Sequence, residues 1–172
     1  MKTILLLRHA KSAWGEPGLS DHDRPLNRRG EVAAAAIADH LVAKGIVPDL
    51  ILCSTATRAR QTLAPLIERL PAPAPPIALE SGLYLASEDM LLNRLRDLPD
   101  ATGTVLLIGH NDGLGLLAQA LAGSGKASLL AALRDKYPTG ALATLQADIA
   151  AWPKLKPGIA TLAAFTCPRD LD

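Results

Sequence analysis

Apolar residues in this chain collect in short runs, set apart by longer segments in which they recur every three or four positions. KTILLL (2–7), LILC (50–53) and TVLLIG (104–109) are almost wholly apolar, the pattern of central parallel strands covered on both faces. PPIALE (75–80) is a weaker run. ALATLQA (141–147) and GIATLAAFT (158–166) alternate more, and their closeness predicts a hairpin or edge strands. Asn27 precedes RRGEVAAAAIADHLVAKG and predicts a capped helix over 28–44, stopped by Gly45. Residues 56–70 predict a second helix that Pro65 should kink or restart. Ser87 caps a third over 87–98, and a fourth over 111–123 opens on Asn111 and closes on Gly123. PAPAPP (71–76) reads as a stiff surface connector and GSGKAS (123–128) as a flexible one. The alternation of strands and helices predicts an α/β sandwich with a mainly parallel sheet.

At 172 residues, 49% hydrophobic and 20% charged, the chain is expected to form one domain over residues 1–172. Its net charge of +1 argues against a nucleic-acid or anionic-membrane partner, since either normally needs a basic excess. Any charged partner must be met by local charge. The two cysteines, Cys53 and Cys167, lack metal-ligand spacing, and Cys53 reads as a buried thiol. A reducing, cytoplasmic setting is the expectation, with no signal-peptide pattern and no apolar stretch of membrane-spanning length.

In open α/β sheets, sites form beyond the carboxyl ends of the strands. The first apolar run ends on Arg8 and His9, the second leads to Arg58 at a helix start, and the fourth ends on His110 and Asn111. Two forked guanidinium groups and two helix N-termini suit a phosphoryl group. Arginines beside His9 would disfavour its imidazolium form, leaving a lone pair to attack phosphorus and form a phosphohistidine. Arginines and His110 would then stabilise the equatorial oxygens. The scheme calls for no cofactor and no metal.

These residues lie in four motifs. LLLRHAKSAW resembles the Arg-His-Gly signature of the histidine phosphatase (phosphoglycerate mutase-like) superfamily, with Ala10 for glycine. DRPLNRRG (23–30) resembles its Pro-Leu-Thr-x-x-Gly element, STATRARQT its Ser-x-x-x-Arg-Ala-x-Gln-Thr block, and IGHNDG its Gly-His-Asn-x-Gly block. The short chain, Arg-His-Ala-Lys-Ser and KYPTGALATL (136–145) resemble the SixA-type phosphohistidine phosphatases most. The resemblance implies a three-layer α/β/α fold, His9 as nucleophile, and Arg8, Arg58 and His110 as phosphoryl ligands. Ser12 and Asn111 would add contacts. The implied partner is a phosphohistidine-bearing protein or a small phosphorylated metabolite.

One departure bears on substrate. Larger members carry a glutamate acid in a Leu-x-Glu context after the third strand, whereas this chain reads GLYLASED. Glu80, Glu88 and Asp89 lie near, and none is assignable as the acid. A phosphoramidate needs little acid assistance, because its departing nitrogen is readily protonated. That favours phosphohistidine in a signalling protein over a small-molecule phosphomonoester. A non-catalytic phosphate-binding domain is the rival from another class. Asp21, Asp23 and Arg24 read as loop ion pairs, Arg60 as a structural salt bridge, and Trp14 and Tyr84 as mouth or core residues.

Overall fold

The computed structural model describes all 172 residues. The chain forms β1 (Lys2–Arg8), α1 (Arg28–Ala43), β2 (Leu50–Ser54), α2 (Thr57–Arg69), β3 (Ile77–Glu80) and α3 (Glu88–Arg96). It continues through β4 (Thr104–Gly109), α4 (Gly113–Leu121), β5 (Ala122–Gly125), α5 (Ala127–Asp135), β6 (Leu142–Ala147) and β7 (Ala160–Thr166). All seven strands join one sheet in the order β3-β2-β4-β1-β6-β7-β5. β1, β2, β3 and β4 pair in parallel, as do β5 and β7, while β6 runs against both its neighbours.

Strand periodicity builds the layers. In β1, Ile4 and Leu6 face a core shared with Leu91 and Leu95 of α3 and Leu114 and Leu117 of α4. The alternate residues Leu5 and Leu7 face Ile37 and Leu41 of α1 and Leu63 and Leu66 of α2. All four β1 residues are at most 2% exposed, so each leucine contributes about 2 kcal/mol of apolar burial. The expected α/β/α sandwich is observed.

The helix starts follow their caps. Asn27 accepts from Gly30 N at 2.9 Å and Ser87 accepts from Met90 N at 3.2 Å. α2 runs through Pro65 as one helix rather than restarting. The last two predicted strands do form an antiparallel pair, but neither is an edge. GSGKAS is not a connector: Gly123 to Gly125 belong to edge strand β5, and the stretch from Ala127 forms α5. Gly123 lies so close to its neighbour that a Cβ would sit 1.9 Å from the Gly158 carbonyl oxygen, which explains a strand made of small residues.

Candidate active site

Register sets the ends of the three central strands level. Arg8 pairs with Gly109, and Cys53 with Ile108, so the residues that follow β1, β2 and β4 emerge together. Arg8, His9, Arg58 and His110 line one cavity of about 430 Å³, and Ser12 and Asn111 line it too. The His9 and His110 rings lie 5.2 Å apart, centroid to centroid. The sequence placed these residues on separate motifs, and the sheet brings them together.

His9 is fixed in one tautomer. Its Nδ1–H donates to the Ala10 carbonyl at 2.7 Å, which leaves Nε2 as the lone-pair nitrogen. Arg58 Nε–H approaches that Nε2 at 3.4 Å. Burial lowers the His9 pKa to about 4, with Arg58, Arg8 and Arg24 acting in the same direction and the Ala10 carbonyl against it. The sequence assigned this effect to the arginines; desolvation is the larger cause.

Arg58 is 2% exposed and held by a residue that the sequence treated as a loop ion pair. Its two terminal nitrogens donate to Asp21, at 2.6 Å to the backbone oxygen and 3.0 Å to the carboxylate. The same carboxylate accepts from the Tyr84 hydroxyl and from Arg24 Nε, the latter at 3.1 Å. The Tyr84 hydrogen bond leads in holding the Asp21 pKa at about 2, with Arg58 and Arg24 reinforcing it. Arg24 also donates to Ser12 Oγ at 2.9 Å and stacks over the exposed Trp14 ring at 3.5 Å. A short segment after β1 thus folds back over the site, tied by Asp21 and Arg24.

His110 Nε2 and Ser54 Oγ lie 2.7 Å apart, while His110 Nδ1 is buried without a partner. Burial leads in lowering the His110 pKa to about 3, followed by the charge of His9. Arg8 donates from one terminal nitrogen to the Tyr137 carbonyl at 2.9 Å, and its Nε is buried and unpartnered. Asn111 donates to the same carbonyl at 3.2 Å and accepts from Gly115 N at 3.1 Å, so both ends of its amide are occupied.

The motif residues that do not face the cavity position those that do. Thr62 Oγ1 accepts from Ala10 N at 2.9 Å and donates to the Arg58 carbonyl at 2.7 Å, joining the residue after His9 to α2. Gln61 accepts from Leu26 N at 2.8 Å. Arg60 donates to the Thr55 carbonyl at 3.0 Å instead of forming a salt bridge. At Gly30 a Cβ would lie 2.0 Å from the Lys11 carbonyl oxygen, so glycine lets α1 rest on the loop after His9. Gly30→Ala is expected to cost about 2 kcal/mol, read as a lowered urea midpoint, and to reduce activity by displacing that loop.

Of the carboxylates left unassigned by the sequence, Glu80 is held by Arg94 at 2.7 and 3.0 Å. Glu88 and Asp89 lie in the first turn of α3 and do not line the cavity. Asp21 does. Its position just before Arg24, in an otherwise polar loop, carried no periodic signal; only the distant partners Arg58 and Tyr84 identify it.

The two lowered histidines set an acid limit with a definite sign. Above the ordinary value of 6.5 both are neutral, folded or unfolded; below it the unfolded chain takes up protons that the folded chain refuses until about pH 4 for His9 and about pH 3 for His110. Their contribution to stability is therefore present above pH 6.5 and lost as pH falls through that window. Histidine ¹⁵N NMR is expected to show His9 neutral at pH 6 with a midpoint near 4, and urea midpoints are expected to fall between pH 6.5 and 4.

The chain as a whole has relatives among known proteins. A model described as "Histidine phosphatase superfamily (branch 1)" matches residues 4–83, which include His9 and Arg58. The chain is 38% identical over 165 residues to an uncharacterized protein of Mycobacterium tuberculosis, Rv1276c, covering 95% of this chain and all of that one. It is similar to the structure of SixA from Agrobacterium tumefaciens, a proposed phosphohistidine phosphatase, with 33% identity, a TM-score of 0.82 and coverage of 97% and 98% of the two chains. A second SixA structure, from Nakamurella multipartitia, shares 28% identity with a TM-score of 0.84, covering 97% and 96%. The family model over residues 4–83 and the likeness to SixA over 97% of the chain agree, and the chain belongs to the histidine phosphatase superfamily.

Proposed function

We propose that this chain is a metal-independent phosphatase that passes a phosphoryl group through His9 Nε2, and that its substrate is phosphohistidine in a protein. The observation that carries the reading is the pair of buried, unpartnered donors or acceptors, Arg8 Nε and His110 Nδ1, on residues that share one cavity with His9. Native proteins seldom leave such atoms without a partner, and a phosphoryl group offers three equatorial oxygens.

In the first step the Nε2 lone pair forms a bond to phosphorus while the substrate's P–N bond breaks. The electron pair of that bond stays on the departing imidazole nitrogen, which takes a proton from solvent. Arg8, Arg58 and His110 hold the oxygens as charge redistributes. In the second step a water oxygen attacks phosphorus, the P–Nε2 bond breaks, and its pair returns to His9. The water's proton passes to solvent and inorganic phosphate leaves. The side chains supply the positive charge, and no three His, Cys, Asp or Glu side chains are grouped as metal ligands.

Substrate class follows from the acid. Asp21 is the carboxylate in the cavity, and at a pKa of about 2 it is a base-form clamp on Arg58, poorly suited to protonating an alkoxide. A phosphoramidate does not need that proton from the enzyme. The SixA likenesses agree with this substrate class. Rates on a phosphohistidine peptide and on sugar phosphates, each measured with EDTA, test the reading. The expected result is a kcat/KM at least about 100-fold higher on the peptide, unchanged by chelator. Equal rates would indicate a phosphomonoesterase, turnover of neither a non-catalytic binding domain, and chelator sensitivity a metal-assisted reaction.

A further inference from the structure

Beside the active-site cavity lies a second groove of about 440 Å³, and the two share Lys11 and Thr139. Its wall on one side is α1, with Arg28, Arg29 and Val32; on the other it is Lys136 and the C-terminal turn with Arg169. Arg28 pairs with Glu31 at 3.5 Å, and Arg169 lies 3.9 Å from Asp170. Lys11, Arg29 and Lys136 are exposed and make no ion pair, while Asp172 is the lone acidic side chain of the lining. The groove is therefore locally basic on a chain whose net charge is only +1. Its apolar lining is Val32, 56% exposed, with Ala33, Ala36, Pro138 and Pro168. Exposed apolar side chains interleaved with unpaired basic ones suit a protein-binding surface, and the charge selects an acidic partner.

Resting on the phosphohistidine reading above, we infer that this groove docks an acidic segment of the phosphoprotein, flanking the phosphohistidine that enters the neighbouring cavity. The wall is held in register with the site. Asn27 N donates to the Lys11 carbonyl at 3.0 Å and Gly30 packs against the same carbonyl, so α1 and the loop after His9 behave as one surface. A segment lying along α1 would bring its phosphohistidine to the cavity at the shared residues Lys11 and Thr139. Binding energy taken from the flank then orients the phosphoryl group without any added contact at phosphorus.

The test uses two phosphohistidine peptides of equal length, one flanked by Asp and Glu with a central Leu, the other by Gly and Ser, against wild type and the double variant Arg29→Glu/Lys136→Glu. Both positions are exposed and outside the catalytic cavity. Wild type is expected to favour the acidic peptide in kcat/KM by about tenfold, with the preference shrinking in 0.5 M salt. The double variant should lose that preference and keep wild-type rates on p-nitrophenyl phosphate. Anisotropy with the labelled, unphosphorylated acidic peptide gives a readout independent of chemistry, expected to weaken about tenfold in the variant. No preference in wild type, an unchanged preference in the variant, or equal affinity of the two proteins for the labelled peptide would each overturn the groove assignment. Turnover of neither phosphohistidine peptide, with the labelled peptide still bound in a charge-dependent way, would overturn the substrate reading instead.

Discussion

His9→Ala is expected to lower kcat by at least about 10⁴-fold on any substrate, with the fold retained. On the proposed mechanism the loss is that of the attacking atom itself. Nε2 is the lone-pair nitrogen because Nδ1–H is spent on the Ala10 carbonyl, and burial keeps it unprotonated down to about pH 4. His9→Gln fills most of the same volume and should be equally inactive, since an amide cannot carry the phosphoryl group. Circular dichroism and a urea midpoint near wild type would show that chemistry, and not folding, was removed. Binding of inorganic phosphate, which the proposed mechanism assigns to Arg8, Arg58 and His110, should survive in both variants.

Arg58→Ala is expected to have the second-largest effect, about 10²- to 10³-fold in kcat/KM. Arg58 reaches His9 Nε2 at 3.4 Å and Asp21 at two points, so its removal acts in three ways. It withdraws a fixed cation from the proposed phosphoryl site. It also unties the loop that Asp21 holds, at a stability cost on the order of 2 kcal/mol. Finally, it removes one of the charges that lower the His9 pKa, so the NMR midpoint of His9 should rise toward 6.5. Arg58→Lys should recover little, because an ammonium cannot span both Asp21 and His9 with fixed donors. A fall in kcat/KM without movement of the His9 midpoint would place Arg58 in loop anchoring alone.

The parts of this molecule legible in its sequence are those set by neighbours in the chain. The burial of β1, β2 and β4 on both faces is written in continuous apolar runs, and α1 and α3 start where Asn27 and Ser87 can accept from the first turn. The convergence of His9, Arg58 and His110 followed from motifs at strand ends in a parallel sheet. What the sequence hid depends on distant partners. The clamp of Asp21 on Arg58 spans 37 positions and the Tyr84 contact 63, with no periodicity to announce either. β5 was hidden for another reason: Ala122 to Gly125 hold no strand-forming side chain, and the strand exists because glycine lets it approach β7. α5 follows Lys126 without a side-chain cap, so its start has no local mark. Pro65 predicts a kink or restart because the lost hydrogen bond is local, whereas packing of Leu63 and Leu66 on the sheet is not.

The site's charge arrangement explains why the resting structure is poised for an anion. Arg58, Arg8 and Arg24 surround two neutral histidines, and Asp21 is the one acidic side chain in the cavity lining. On the proposed reading, a dianionic phosphoryl group adds the negative charge this cluster lacks, beside the residues that carry the two unpaired atoms Arg8 Nε and His110 Nδ1. Its binding should raise the pKa of His9, so phosphate titration followed by ¹⁵N NMR would show His9 moving toward 6.5 as the site fills.

The most direct measurement is rapid acid-free quenching of wild type turning over a ³²P-labelled phosphoramidate, followed by peptide mapping. Phosphoryl transfer through His9 requires a label that is stable in base, lost in acid, confined to the peptide carrying His9, and absent in His9→Gln. Turnover with no such label, or a label on any other residue, would contradict it.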